Sequence, residues 1–392
     1  MKSISLKTAA ILLIVMIVII AGIYYGYNIL NNAIYVSFNS NNYQITIYNT
    51  QNISTPSPFQ QDIAICNGTL NIGNNFAYVN NPTIFNQINL NGQNVLFFNS
   101  NRQLLYSWYE GQLINGSTYC DVWWVNLPNG IPANSNVIIY MHIGNSSDNY
   151  YSQYYPYIGA SPQVISEYDN GQDVFIAYGY FNNTFDGWKG YSYLGPAPTV
   201  TPDGIEIPSI MGGSAYILPP NNWNIPEIPL IVEEAWYYNL GIEANGISLF
   251  GDTNNQLFFF TLISNLSTCS CFSSFYGRIY LTSAVTYLVL NSTASYLLSE
   301  GTIYSYLIVN STYAQTGYYI YSPFSFTWAP LTLLDTYSID NNGYTYANLN
   351  YNPYQYPTLE ISMSRFGGTQ YVEWVVARAY PPNGVMPSTY IS

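Results

Sequence analysis

Tyr43-Gln44-Ile45-Thr46-Ile47-Tyr48 alternates polar and apolar side chains along its whole length, the period of a strand with one face on a core and the other in water. The following stretch, Asn49–Pro58, is rich in Asn, Ser, Thr and Pro, the residues that turn a chain. Working outward, the same reading predicts strands over Gln61–Cys66, Val95–Phe98, Leu104–Tyr109, Tyr119–Val125 and Asn136–Ile143. It extends to Leu230–Tyr237, Gly246–Phe250, Gln256–Ile263 and Arg278–Leu281. After the N-terminus no stretch keeps a helical period for three turns, so the fold class is all-β there. About 360 residues of strand and turn exceed one ordinary sandwich. We therefore expect two antiparallel β-sandwich or jelly-roll domains, residues 31–160 and 161–392, joined near Asp148–Ser166, a stretch of Tyr, Ser and Pro.

Upstream of those strands, Thr8–Tyr27 carries no charged side chain over twenty residues. At about 1.5 Å per residue such a helix spans roughly 30 Å, the hydrocarbon thickness of a bilayer. Lys2 and Lys7 precede it and the next basic residue is Arg102, so the positive-inside asymmetry puts Met1 in the cytoplasm and the chain after Asn28 outside. Tyr24, Tyr25 and Tyr27 would form the outer aromatic belt. A cleaved secretory signal is the alternative, but the apolar run is long for one, and Ala21-Gly22 is the nearest approach to a small-residue cleavage site. Residues 1–30 thus read as one N-terminal transmembrane helix in a single-pass cell-membrane protein with an extracellular C-terminal part.

Composition fits an exterior life. Charged residues make up 7% of the chain, and 43 tyrosines with many Asn, Ser, Thr and Gln supply polarity instead. Without Lys2 and Lys7 the exported part has 20 acids against 5 bases, a balance that repels phosphate backbones and argues against nucleic acid as a partner. Near pH 2 to 3 most of those acids would be protonated, leaving the exported part nearly uncharged. With so few bases, few carboxylates can be held ionised by partners, and the fold is expected to survive to pH about 3. The Tyr/Asn-rich, Lys-poor profile resembles surface proteins of thermoacidophilic archaea and their viruses.

Eight Asn-x-Ser/Thr sequons stand at Asn52, Asn67, Asn115, Asn145, Asn182, Asn265, Asn291 and Asn310, which together read as a glycosylated shell. Four cysteines follow the apolar stretch, and an even number outside the membrane suggests disulfides. Three pairings are possible, and Cys66 with Cys120 and Cys269 with Cys271 keeps each pair within one expected domain. Zinc is the alternative, but Cys269-x-Cys271 lacks the usual two-residue spacer and His142, the single histidine, lies far away in sequence.

Four signatures occur in order: Asn94-Val95-Leu96-Phe97, Leu105-Tyr106-Ser107-Trp108-Tyr109-Glu110, Val122-Trp123-Trp124-Val125-Asn126-Leu127-Pro128 and Ile139-Tyr140-Met141-His142-Ile143-Gly144-Asn145. Over Tyr35–Tyr155 this resembles the family called domain of unknown function 2341, with Asn94 and Leu96 in place of its charged Asp and Arg and His142-Ile143 in place of two aromatics. The resemblance implies an extracellular β-rich module without an assigned activity. Physically, Trp108, Trp123, Trp124 and Tyr140 read as sandwich core and rim, and Gly144-Asn145 as a closing turn. Downstream, Phe181-Asn182-Asn183-Thr184-Phe185-Asp186-Gly187-Trp188 resembles the opening of concanavalin-like or laminin-G-like jelly rolls. Tyr371–Pro382 resembles their closing strand.

Chemistry is sparse. Glycosidases on such folds need paired carboxylates on one strand face, and Glu233-Glu234, being adjacent, point to opposite faces. Glu373 reads as structural, His142 lies in a strand with no Gly-x-Ser-x-Gly elbow anywhere, and Gly367-Gly368 lacks phosphate-loop spacing. Calcium through Asp252, or through Asp335 and Asp340, is disfavoured by the scarcity of acids. We thus expect no catalytic, metal or cofactor site, and a protein that is not an enzyme. Two classes remain. One is a membrane-anchored adhesin binding glycans or another cell-surface protein, its tyrosines and amides at Tyr313–Tyr321 and Tyr344–Tyr356 suited to sugar faces. The other is a self-assembling structural subunit of an archaeal filament or of a virion envelope or spike. Against the filament, Lys7 is followed by Thr8 rather than by the Gly or Ala of archaeal pilin processing sites.

Overall fold

The computed structural model describes residues 42–70, 77–209, 214–220, 226–239, 242–250, 256–264, 272–281, 284–288, 303–310, 313–319, 344–347, 358–364 and 368–392. The expected anchor, Thr8–Tyr27, lies outside these residues, as do Cys269, Cys271, Asn265, Asn291, Asp252, Asp335 and Asp340. Among the described residues no helix is long and apolar enough to cross a membrane.

The described chain is strand and turn with single-turn helices only, such as Pro82–Phe85 and Tyr151–Tyr154. The first strands are β1 (Asn42–Asn49), β2 (Phe59–Cys66), β3 (Tyr78–Asn80), β4 (Val95–Asn99), β5 (Ser107–Asn115), β6 (Thr118–Leu127), β7 (Ser135–Ile143) and β8 (Ile158–Ala160). There follow β9 (Ala177–Tyr180), β10 (Lys189–Tyr193), β11 (Thr199–Thr201), β12 (Gly204–Ser209), β13 (Ser214–Leu218), β14 (Leu230–Asn239), β15 (Ile242–Phe250) and β16 (Gln256–Ser264). The last are β17 (Phe272–Leu281), β18 (Ala284–Leu288), β19 (Ile303–Val309), β20 (Tyr313–Tyr319), β21 (Tyr344–Ala347), β22 (Thr358–Ser364), β23 (Gly368–Ala379) and β24 (Ser388–Ile391).

They form four sheets. Sheet I has the order β24-β1-β7-β4 and sheet II the order β3-β2-β6-β5-β8. Sheet III runs β11-β12-β23-β14-β19-β20-β21, with β9 also on β23, and sheet IV runs β10-β13-β22-β15-β16-β17-β18. Alternation stacks them. In β6, Trp123 meets Phe97 of sheet I at 5.8 Å between ring centroids, while its neighbour Trp124 lies under Arg378 of sheet III at 5.0 Å. In sheet III, Leu230, Val232, Trp236, Leu307, Val309, Val375 and Ala377 share a buried cluster with Ala215, Ile217, Leu359 and Ile361 of sheet IV. Their alternates Ile231, Ala235, Ile308, Trp374 and Val376 belong instead to the cluster of sheets I and II. Two sandwiches are thus packed back to back through sheets II and III, whose strands β2 and β14 are buried on both faces over Phe59–Cys66 and Leu230–Trp236.

Two expectations need correction. The last strand, expected within 161–392, pairs with β1, Ile391 opposite Ile45 and Ser388 opposite Tyr48, so the chain returns to complete the first sandwich. Ser388–Ile391 is too short to show its partner by pattern. The stretch Asp148–Ser166 is not a free linker either: β8 within it pairs in parallel with β5, Trp108 opposite Gly159. Leu104 makes an isolated bridge to Phe98, and the strand expected at Leu104–Tyr109 starts at Ser107.

Between sheets II and III polar groups are set among the apolar side chains. Arg378 donates from Nε to Glu233 at 3.1 Å, both groups being buried, and Trp124 Nε1 donates to Glu110 Oε2 at 2.9 Å. Gln60 Oε1 accepts from Ala379 N at 2.9 Å, tying sheet II to sheet III. Nearby Asp62 accepts from Ala77 N and from Gln61 Nε2; burial, opposed in part by Arg378, pushes its carboxyl up to about 8. The disulfide Cys66–Cys120 joins β2 to β6 as expected.

Candidate functional site

Among the described residues, aromatic and carboxyl side chains gather on the stretch expected as a linker, together with the segment that follows it. The run Tyr150-Tyr151-Ser152-Gln153-Tyr154-Tyr155-Pro156-Tyr157 supplies five tyrosines in eight residues. Tyr157 stacks on Tyr106, just before β5, at 4.6 Å and 15°. Tyr155 is exposed and sets its ring 6.0 Å from that of Tyr168.

What positions these rings is buried. Asn170 Nδ2 donates to Pro156 O at 2.9 Å and to Ser107 O at 3.1 Å, strapping the segment to β5. A side chain at Gly159 would collide with Tyr168 O and Asn170 Oδ1, so glycine lets the segment lie directly on β8. Asp169 accepts from Trp108 Nε1 at 2.9 Å, Tyr178 OH at 2.9 Å and Gly171 N at 3.1 Å, and its backbone oxygen accepts from Tyr155 OH at 3.1 Å. Trp108, read from sequence as core, therefore also orients the loop.

Three carboxyls surround the rings. Burial raises Asp169 to about 6, the three hydrogen bonds opposing it. Burial also raises Asp173 and Asp186. Asp186 accepts from Tyr180 N and Gln172 Nε2, at 3.1 and 3.0 Å. Burial lifts the Tyr155 hydroxyl, and Asp169, Asp173 and Asp186 lift it further; Asp173 acts on Tyr106 as well. One carboxyl thus lies within electrostatic reach of both ring pairs. In acid this patch presents flat rings edged by neutral carboxyls, each able to donate and accept. Sugars offer the complement, apolar C–H faces rimmed by hydroxyls.

The residues singled out from sequence fall elsewhere. Glu233 is in the Arg378 ion pair, and alternation turns Glu234, also buried, to the other side of sheet III. His142 in β7 bonds Asn42 Oδ1 at 2.9 Å and Tyr150 OH at 3.1 Å. Asn94 accepts from Asn89 N and donates to Gln87 O and Gly144 O, a structural hub. Glu373 is half-buried in β23 and Gly368 opens that strand, while Gly367 lies outside the described residues. Tyr313–Tyr319 and Tyr344–Ala347 are the paired strands β20 and β21 at one end of sheet III; 320–343 and 348–357 lie outside the described residues. Of the sequons, Asn52, Asn145 and Asn182 are exposed, Asn67 and Asn310 are half-buried, and Asn67 Oδ1 accepts from Tyr119 N at 2.9 Å. Asn115 ends β5. Among the described residues no three His, Cys, Asp or Glu side chains group as metal ligands. The patch went unread because its tyrosines show no strand period, and turn residues between them look like a connection; their density was the available signal.

No family model matches the chain, that of domain of unknown function 2341 included. An uncharacterised protein, 562, of Sulfolobus islandicus rod-shaped virus 1 is 30% identical over 370 residues, spanning 88% of this chain; the chain spans 58% of that relative's length. Among solved structures, a carbohydrate-binding module of the Lactobacillus casei BL23 phage J-1 evolved Dit overlays 53% of this chain and 96% of its own, with a TM-score of 0.34 and 10% identity. A toad ovary galectin overlays 41% and 98%, with a TM-score of 0.24 and 9% identity. The kappa-carrageenase of Pseudoalteromonas carrageenovora overlays 52% and 93%, with a TM-score of 0.33 and 8% identity. At overlaps this loose, nothing is transferred from those three proteins to this chain.

Proposed function

We propose that this chain is a surface protein of a virion or cell that binds saccharides through the tyrosine and aspartate patch around Tyr106, Tyr155, Tyr157 and Tyr168, by recognition and without catalysis. The observation that carries the reading is that two ring pairs and the raised carboxyl of Asp169 converge on one surface segment strapped to β5 by Asn170. The same proposal holds Thr8–Tyr27 as the membrane anchor with the sandwiches outside, and glycans at exposed sequons such as Asn52, Asn145 and Asn182. The viral relative accords with the acid-adapted composition, and it favours the second reading, a structural subunit of a virion. The test is a glycan array probed with the full chain in detergent at pH 3 and pH 7. Signal at pH 3 that disappears in Tyr155→Ala and Tyr157→Ala supports recognition. Absence of signal on every saccharide at both pH values overturns it in favour of the structural role.

A further inference from the structure

Tyr106 and Tyr157 each precede a strand, and the parallel pairing of β5 with β8 begins at once after them, Ser107 opposite Ile158. They therefore stand side by side. Their backbones are pinned, since Ser107 N donates to Tyr157 O at 2.9 Å and Asn126 N donates to Tyr106 O at 2.9 Å. The rings lie 4.6 Å apart and within 15° of parallel, and the two hydroxyls are hydrogen-bonded to each other. Parallel planes with touching oxygens bring the ring carbons ortho to those oxygens together. Both side chains are half-buried, so a small reagent in water reaches them. The other described tyrosine pairs are set less closely: Tyr155 and Tyr168 are 6.0 Å apart and 60° from parallel, and Tyr191 and Tyr216, though stacked, are 5.5 Å apart. Tyr109 and Tyr178 are buried and donate instead to Asp121 and Asp169.

We propose that Tyr106 and Tyr157 are a dityrosine cross-linking site, joined carbon to carbon when the protein meets a one-electron oxidant driven by a peroxide. Each ring gives up one electron to the oxidant and its phenolic proton to water, leaving two phenoxyl radicals. The radicals couple at the carbons ortho to oxygen. The hydrogen on each of those carbons then returns to its oxygen, restoring two phenols. The two electrons and two protons reduce hydrogen peroxide to two waters, so nothing else is consumed. Holding the reacting carbons together is what favours this pair over coupling between molecules. Asp173, within electrostatic reach of Tyr106, makes an electron easier to remove when it is ionised. The new bond closes a loop of 157 − 106 = 51 residues and restricts the unfolded chain as a disulfide does. The described disulfide, Cys66–Cys120, joins β2 to β6 and leaves this segment untied.

The test oxidises the full chain in detergent with peroxodisulfate and light-activated ruthenium trisbipyridyl, a small one-electron oxidant, and then cleaves it at acidic residues. Glu110, Asp121 and Asp148 lie between the two tyrosines, so their peptides separate unless the rings are joined. Mass spectrometry should find the two peptides linked and lighter by two hydrogens, with dityrosine fluorescence and a yield that dilution does not change. Tyr106→Phe and Tyr157→Phe should each abolish the linked pair, because a phenyl ring forms no phenoxyl radical. Tyr191→Phe should leave it unchanged. The linked chain should also unfold at higher urea than the unlinked one. No linked pair from the folded chain overturns the proposal. So does a pair that persists in Tyr106→Phe, or one that forms as readily in the urea-unfolded chain, because the folded geometry then does not direct it. Near-UV circular dichroism of each variant confirms the fold, and none of these outcomes depends on saccharide binding at Tyr155.

Discussion

Sheet III has two faces made by alternate residues of the same strands, and the two are held by different chemistry. Toward sheet IV, Leu230, Val232, Trp236, Leu307 and Val375 are apolar and interlock by shape, with the buried Glu234 the charged exception on this side. Toward sheet II, Arg378 lies over Trp124 and within electrostatic reach of Asp62, while it pairs with Glu233 inside sheet III. An apolar face tolerates many partners of similar volume. The Arg378–Glu233 pair lies within sheet III, between β23 and β14, and what crosses to sheet II is Ala379 N on Gln60 and Arg378 over Trp124, polar contacts that only one arrangement of the sheets satisfies. The first face therefore supplies cohesion within a sandwich, and the second fixes how the two sandwiches are docked.

Breaking the polar face should have the largest effect. Arg378→Met leaves Glu233 buried without its guanidinium and should cost about 3–5 kcal/mol, read by urea unfolding. Adding Glu233→Leu should restore most of that loss; a double variant as unstable as the single one would show that packing, not charge, holds the face. On the apolar side, Leu307→Ala should cost about 3 kcal/mol through its cavity. No second substitution across the sheet should rescue it as charge removal rescues Arg378→Met.

Stability should also depend on pH, through Asp62 beside the polar face and through Asp121 and Asp169 elsewhere. Asp62, Asp121 and Asp169 are raised by burial to about 8, 7 and 6, from an ordinary value of 3.8. Because the folded protein holds these protons more tightly than the unfolded chain, their stabilisation is complete below about pH 4. It is lost progressively as pH rises to about 8. These carboxyls should thus favour a higher melting temperature in acid, and between about pH 7 and 8 the remaining slope belongs mainly to Asp62, with the tail of Asp121. Asp62→Asn should flatten that interval; a melting temperature that climbs from pH 4 to pH 8 would refute the assignment. This extends the expectation of acid survival: the described carboxyls that shift all do so upward, Asp173 and Asp186 included. The smallest effect belongs to the surface, where Tyr155→Ala should change stability by less than about 0.5–1 kcal/mol while removing any saccharide signal.

Much of the fold was legible locally. Tyr43–Tyr48, Gln61–Cys66 and Gln256–Ile263 fall inside strands β1, β2 and β16, because alternation or an apolar run is a property of neighbouring residues. Trp108, Trp123 and Trp124 are buried as read. Phe181 and Trp188, the aromatic ends of the jelly-roll-like motif, meet edge to face at 5.5 Å in the second core. The tyrosine patch was not legible as a site, since Asn170 and Asp169 create it by bonds to Ser107, Pro156 and Trp108, from 14 to 63 residues away in sequence.

By itself, then, the sequence determined the all-β character, the scarcity of charge and which residues are large enough to make cores, since each is set by side-chain chemistry and period. Tertiary structure decided that Ser388–Ile391 closes the first sandwich, that Glu233 meets Arg378 across 145 residues, and which faces are buried twice. Strand pairing is chosen among all available edges at once, and a buried charge is satisfied only by what the completed fold brings to it.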